Sequence, residues 1–362
     1  MRIAFVLSAI KKGGGVRSQL TLANMLVQRG YSVSILVHRG GLGAPPIPIA
    51  GQVREVGLRI PNSYVSFLVN SIFLAVHTIR YDRVVTTLIA DFPFIWLVNF
   101  WRRRDTLYHF ARAYDPLILD ETKIPNRLVL CFYRVATRYS YYLPSNLLAN
   151  SAWTAERIRE QVIMKARFNV IPNGVDTITF CPSESKTKAD NGTRRFVVVG
   201  KVQRLKGLSD VLEALEIYHR VRNHDFELVI ITQEKLSIAN SYPFQVLQVR
   251  PSDDFELVAN YRRADLFLSA SWYEGFSMPP LEAMSCGVPV ITTDSGGVRE
   301  YACHRRNCLI VPARCPEKLA DAIVTLFTED GLRETLVMNG IETAKQFRWE
   351  DSLIKLISAL SI

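Results

Sequence analysis

Short, unbroken apolar runs alternate along this chain with longer stretches whose apolar positions recur every three to four residues. Runs without in-and-out alternation belong to strands buried on both faces, and the longer period belongs to helices. On this pattern strands are predicted over Arg2–Ser8, Ser32–His38, Arg83–Thr87, Asp105–His109, Leu147–Asn150 and Phe168–Ile171. Helices are predicted over Val16–Arg29 and near 64–79, 91–102, 126–142 and 152–163. After Pro172-Asn173-Gly174 the character changes, and residues 182–194 read as a polar linker.

The rhythm then restarts. Strands are predicted over Arg195–Gly200, Phe226–Thr232, Phe244–Val249, Asp265–Ala270, Val288–Thr293 and Asn307–Val311. Helices are predicted over Leu208–Arg222, Asp253–Arg263 and Pro279–Ser285, and near 316–328, 331–346 and 349–361. Strand–helix alternation on both sides of a linker predicts an α/β chain of two doubly wound, Rossmann-like domains, residues 1–180 and 181–348. Ligands of such domains sit at the carboxyl ends of the strands, here in a cleft between the two halves.

Composition adds little until charge is resolved along the chain. At 362 residues, 48% hydrophobic and 22% charged, the sequence is globular and neither disordered nor collagen-like. Residues 1–180 hold 22 Lys and Arg against 10 Asp and Glu, whereas 181–362 hold 22 against 24. The net +10 therefore belongs to the first half. That half, with Lys11, Lys12, Arg17, Arg102, Arg103 and Arg104, is expected to meet an anion, such as a phosphorylated substrate, a lipid surface or nucleic acid. A solvated positive face would give the same count. The six cysteines form no C-x-x-C pair, which favours reduced thiols in a cytoplasm. A zinc site from Cys303, His304, Cys308 and Cys315 fits no common finger spacing.

Ile3–Ile10 is too short for a signal peptide and runs into Lys11-Lys12 and a glycine loop. The uncharged stretch between Arg59 and Arg80 holds Pro61, Asn, Ser and His77. It is read as a core helix in preference to one touching a membrane.

Three strand-to-helix turns carry candidate chemistry. Lys11-Lys12-Gly13-Gly14-Gly15-Val16 lets the backbone approach a ligand just before a helix N-terminus, although a tight structural turn would look alike. It is neither a Walker loop nor a G-x-G-x-x-G fingerprint, which argues against an NTPase and a dehydrogenase. Gly200-Lys201-Val202-Gln203-Arg204-Leu205-Lys206-Gly207 puts three cations in one loop, suited to a diphosphate. Glu274-Gly275-Phe276-Ser277-Met278-Pro279-Pro280-Leu281-Glu282 puts two carboxylates eight residues apart around a helix start. The prolines suit its first turn, and the free amides of Gly275 to Met278 suit a phosphate. The carboxylates suit hydroxyls of a ribose or sugar. No D-x-D or H-E-x-x-H spacing occurs, so no metal ligand and no cofactor is expected.

With Gly13-Gly14-Gly15, Ile171-Pro172-Asn173-Gly174, Gly200…Lys206-Gly207, Glu274…Glu282, Gly287-Val288-Pro289-Val290 and Asp294-Ser295-Gly296-Gly297, the sequence resembles the GT-B glycosyltransferases of family 4. The likeness runs from Arg2 to Phe347-Arg348-Trp349-Glu350 and is densest over 264–312. It implies two Rossmann-like domains and a last helix, 349–362, that returns to the first. It also implies metal-independent, retaining transfer from a nucleotide-diphosphate sugar to a glycan or lipid-linked acceptor in cell-surface polysaccharide or glycolipid synthesis. By resemblance, catalysis falls to His109 beside the donor sugar, Lys206 on the diphosphate and Glu274 by the sugar. Donor binding falls to Gly14, Gly15, Lys201, Arg204, Lys206, Arg250, Gly275, Phe276, Ser277, Met278 and Glu282.

Three positions depart from the pattern. Lys201 stands where arginine is usual, with Arg204 as a substitute; Ser277 stands where glycine is usual; and Thr232-Gln233-Glu234 replaces a glycine-rich loop. A cytoplasmic place is expected, with the basic half able to rest on an anionic membrane. Two rivals are a non-catalytic nucleotide-sugar-binding protein and a nucleic-acid-binding protein. The second lacks any common binding motif, so nucleic acid is not an expected partner.

Overall fold

The computed structural model describes residues 1–7, 9–61, 63–87, 89–102, 106–113, 127–143, 145–162, 167–183, 193–222, 224–238 and 242–362. Ser8, Arg103, Arg104, Asp105 and linker residues 184–192, all invoked above, lie outside them.

The chain forms two compact units, one of Met1–Asn173 with Trp349–Ile362 and the other of Gly174–Arg348. Unit 1 runs β1 (Arg2–Leu7), α1 (Gly14–Gln28), β2 (Ser32–His38), β3 (Gln52–Val56), α2 (Ser63–Thr78), β4 (Arg83–Thr86) and α3 (Phe92–Asn99). It continues through β5 (Leu107–Ala111), α4 (Arg127–Ser140), β6 (Asn146–Ala149), α5 (Ala152–Val162) and β7 (Phe168–Val170). Its seven strands are ordered β3-β2-β1-β4-β5-β6-β7, every pairing parallel.

Unit 2 runs β8 (Arg194–Val199), α6 (Leu208–Arg222), β9 (Phe226–Ile231), β10 (Gln245–Val249), α7 (Asp254–Arg262), β11 (Leu266–Ser269), α8 (Met278–Ser285), β12 (Val290–Thr293) and β13 (Leu309–Val311). Helices α9 (Pro316–Thr328) and α10 (Leu332–Lys345) close it. The sheet order is β10-β9-β8-β11-β12-β13, again all parallel. Each sheet reverses its winding beside its first strand, between β1 and β4 and between β8 and β11. That reversal is where an open α/β sheet splays its loops apart and takes ligands.

Central strands are apolar because both faces are covered: Ile3 to Leu7 and Phe196 to Val198 are all buried. In unit 2, Phe196 and Phe226 stack at 4.9 Å, and Phe196 and Phe327 at 5.8 Å, tying α9 to the sheet. Strand β3 was not anticipated; it is an edge strand whose Gln52, Arg54 and Glu55 break the apolar run.

The boundary between the units falls at Asn173/Gly174, earlier than the 180/181 read from the sequence. Residues 174–181 pack on unit 2, where Val175 N donates to Phe347 O at 2.8 Å and Phe180 is buried beside Tyr261. The final helix, α11 (Trp349–Leu360), belongs to unit 1. Ser352 Oγ donates to Pro172 O at 2.6 Å, and Arg83 Nε donates to Leu360 O at 2.8 Å.

Helix α2 is not the core helix anticipated. Its inner face is buried, but Val65, Leu68, Ile72, Phe73 and Val76 are exposed.

Candidate active site

The unit 2 site is assembled where β8 and β11 end. Gly207 sits at φ +63, and a Cβ there would lie 1.9 Å from Ala270 O, so only glycine lets the loop after β8 close against the end of β11. Trp272 N donates to Leu205 O at 2.8 Å and joins the two loops. The closure carries Lys206 Nζ to 2.6 Å from Glu274 Oε1, an oxygen that also accepts from Ser271 Oγ at 2.9 Å. Lys206 and Glu274 therefore hold each other in this structure.

Lys201 belongs to the same cluster. Its pKa is lowered, first by burial and then by Lys206, and is partly restored by Glu274 and Glu234. Glu234 also braces the loop, accepting from Val202 N at 2.7 Å. Two lysines that repel each other, one of them desolvated, suit an anion.

The turn after Glu274 is pinned from below. Glu274 N donates to Ser295 O at 2.8 Å, and Gly297 N donates to Glu274 O at 2.9 Å. A Cβ on Gly297 would meet Gly275 C and O at 2.2 Å, so the Gly296-Gly297 backbone lies directly under the turn. Phe276 is buried against Tyr301 and Phe347, so what it offers a ligand is its amide and not its ring.

Ser277 adopts φ +65, the left-handed conformation that favours glycine, and this accounts for the usual glycine at that position. The Tyr301 hydroxyl donates to Ser277 O, and burial, as the largest cause, holds that hydroxyl far above its ordinary pKa and therefore protonated. Among the described residues, nothing accepts from the amides of Phe276, Ser277 and Met278. These amides open α8, where Pro279 and Pro280 need no donor partner. The result is an anion cradle at a helix N-terminus.

Glu282 is buried and its Oε2 accepts from Tyr261 OH at 3.2 Å. Arg204 and Arg314 lie over the Trp272 ring at 5.1 and 4.1 Å, so Arg204 rests on an aromatic face. Arg250 is exposed and donates to Glu234 O at 3.4 Å, on the residue that braces the Lys201 loop.

Unit 1 presents the glycine loop at the end of β1. Gly14 has open space around it. A Cβ on Gly15 would lie 2.5 Å from the Arg112 guanidinium, so that cation rests on the loop. Sequence reading missed Arg112; its place just beyond the end of β5 was the available signal.

His109 departs from the expectation of a strand end. It lies inside β5, fully buried, with Nδ1 3.0 Å from Thr86 Oγ1 and its ring against Phe92 and Tyr141. Burial, followed by the Arg112 charge, pushes its pKa down to about 3, so it is neutral near pH 7. Its Nε2 has no hydrogen-bond partner among the described residues.

No group of three or more His, Cys, Asp or Glu side chains among the described residues is placed to hold a metal ion, so the Cys303–Cys315 zinc reading does not stand. Burial pushes the Cys286 thiol up, and the Cys308 thiol to about 12, which makes both inert as nucleophiles.

Paired doubly wound sheets of this kind define a class, and the comparisons agree. Residues 12–179 match the model for Glycosyltransferase Family 4, and residues 182–343 match Glycosyl transferases group 1. The chain belongs to these glycosyltransferases. It is 31% identical over 207 residues to the D-inositol 3-phosphate glycosyltransferase of Pseudarthrobacter chlorophenolicus, matching 52% of this chain and 49% of that protein. The chain thus spans about half the length of the curated relatives it matches.

Sucrose-phosphate synthase from Thermosynechococcus elongatus superposes with a TM-score of 0.80 at 16% identity, covering 99% of this chain and 97% of that one. Anabaena HepE in complex with UDP-glucose gives 0.73 at 20% identity, covering 100% and 99%. Both likenesses establish the GT-B fold.

Proposed function

We propose that the protein transfers a sugar from a nucleotide-diphosphate sugar to a glycan or lipid-linked acceptor, with retention and without a metal, in cell-surface polysaccharide or glycolipid synthesis. The observation that carries the reading is the Lys206–Glu274 contact, with Lys201 beside it and three unpaired amides at the start of α8.

In the reaction, the bond between the anomeric carbon and the diphosphate oxygen breaks and a bond to the acceptor oxygen forms on the same face. The acceptor's proton passes to the departing phosphate. Lys206 and Lys201 neutralise the charge that develops there, and one well-aimed donor of this kind is worth roughly 3 kcal/mol. Glu282 suits ribose hydroxyls. Glu274, released by Lys206 when a diphosphate arrives, suits a sugar hydroxyl. His109, neutral with a bare Nε2, would accept from the donor sugar only after local opening of its buried site.

HepE's complex with UDP-glucose makes UDP-sugars the first donors to try. The inositol phosphate substrate in the first relative's name suits an acceptor whose phosphate meets the basic unit 1 and Arg112. The test is release of free nucleoside diphosphate on mixing donor and acceptor in EDTA, after a thermal-shift screen of UDP-, GDP-, ADP- and dTDP-sugars. Acceptor-dependent release is expected. Donor binding without release supports the non-catalytic alternative, and release only with added Mg²⁺ or Mn²⁺ contradicts the metal-free reading.

A further inference from the structure

Two of the positions that depart from the glycosyltransferase pattern meet in the structure. Lys201 lies in the loop after β8, and Glu234 lies in the Thr232-Gln233-Glu234 segment after β9. Glu234 Oε2 accepts from the amide of Val202, the neighbour of Lys201, at 2.7 Å. Glu234 N donates to Thr232 Oγ1 at 3.1 Å, and Glu234 O accepts from Arg250 Nη2 at 3.4 Å. Gln233 Nε2 donates to Pro251 O at 2.7 Å. One short segment therefore ties together the loops that leave β8, β9 and β10. Glycines in its place would offer none of these side-chain bonds.

The carboxylate also has an electrostatic part. A lysine that loses hydration pays in its charged form, whereas a guanidinium stays charged at any ordinary pH. Burial, then Lys206, lowers the Lys201 pKa, and Glu274 and Glu234 raise it. The two carboxylates are engaged differently. Glu274 Oε1 is 2.6 Å from Lys206 Nζ and accepts from Ser271 Oγ at 2.9 Å, so its first partner is Lys206. Glu234 is held on Lys201's own loop by the Val202 amide. No ion pair within 4 Å joins Glu234 to Lys201 among the described residues, so it acts on that lysine through its field. Arg250 and the exposed Lys235 are the other charges beside Glu234.

We propose that Glu234 is a positioning residue for the diphosphate: by bracing Val202 and placing a negative charge near Lys201, it keeps the Lys201–Lys206 loop set and cationic before any ligand arrives. The inference rests on the donor reading above, but it concerns the unliganded loop, so the two can fail separately.

The test uses the full chain carrying carbon-13-labelled lysine. The Lys201 Cε resonance, assigned by its absence in Lys201→Arg, is followed against pH without ligand. In Glu234→Gln the amide oxygen can still accept from Val202 N, so the brace survives and the charge does not. Lys201 is then expected to lose its proton at lower pH than in wild type. Lys206, Glu274, Arg250 and Lys235 are the same in both proteins and cancel in the comparison.

Calorimetric titration of inorganic pyrophosphate in EDTA reads the consequence. Glu234→Gln should weaken binding less than about twofold at pH 7 and about tenfold as pH rises through the Lys201 titration. In the Lys201→Arg background the same change should cost less than about twofold at every pH. Glu234→Ala, which also removes the brace, should weaken binding about three- to tenfold at pH 7. Wild type that does not bind pyrophosphate, a Lys201 titration unmoved by Glu234→Gln, or a loss equal at every pH and undiminished in the Lys201→Arg background would each overturn the proposal. Pyrophosphate binding that follows the expected pattern, in a protein that releases no nucleoside diphosphate from any donor, would strike the transferase reading and leave Glu234 its role.

Discussion

Two glycine-bearing turns lead from strand to helix in this protein, and they are held in opposite ways. The unit 2 turn, Glu274–Met278, is braced by the Gly296-Gly297 backbone, the Tyr301 hydroxyl and the packing of Phe276. The unit 1 turn, Gly13–Gly15, has open space at Gly14 and only the end of a flexible arginine on Gly15. The first has its backbone preorganised: the amides of Phe276 to Met278 are held in place, while Glu274 is engaged by Lys206 at 2.6 Å. The second is tied into its own helix, where Gly13 O accepts from Arg17 N at 3.0 Å and Gly15 O from Ser18 Oγ at 3.1 Å. A turn braced in the first way suits charge that must stay fixed while a leaving group departs.

The largest effect should fall on the braced side. Lys206→Ala is expected to lower turnover about 10²–10³-fold, with the unfolding midpoint changed little because Lys206 is partly exposed. Initial rates at saturating donor measure it, and a wild-type rate would remove Lys206 from the reaction.

Next comes the packing contrast. Gly297→Ala forces a Cβ into the Gly275 backbone and should cost about 3 kcal/mol of stability. Gly14→Ala, at the first residue of α1 with nothing within 4 Å, should change stability by less than about 1 kcal/mol, with no loss. Denaturant melts of both variants compare the two turns directly, and equal losses would erase the distinction.

A third effect is graded by pH. His109 has its folded pKa depressed from 6.5 to about 3, so its contribution is complete above pH 6.5 and is lost as pH falls towards 3. The slope in that window should be at most about 1.4 kcal/mol per pH unit, and His109→Gln should flatten it. Acid melts that run parallel for the two proteins would show that the ring is solvated.

The smallest effect is a gain. Ser277→Gly relieves a left-handed φ of +65 and should stabilise the fold by about 1 kcal/mol, read as a rise in the unfolding midpoint.

Much of this was legible in the sequence because its signals were local. The bounds of β2 and α6 coincide with the apolar run of Ser32–His38 and the periodic stretch of Leu208–Arg222. Strand β3 escaped because an edge strand need not be apolar. Helix α2 was seen, but its periodicity reveals a stripe and not the side it faces. There, buried Asn70 and Ser71 meet partners from Leu58 and Asp91 that only the fold brings near. The Lys206–Glu274 pair was legible as residues and not as a contact, because the two lie 68 positions apart. His109 was found by resemblance, yet its burial inside β5 could not be read from a run that is apolar on both sides of it.

The most direct test is calorimetric titration of UDP-glucose, or whichever donor the thermal screen selects, into wild type and Lys206→Ala in EDTA. The account predicts saturable binding by wild type and a loss of about ten- to a hundredfold in the variant, the range expected for one charge-assisted contact to phosphate. Equal affinity in the two proteins, or wild-type binding that appears only when a divalent cation is restored, would contradict it.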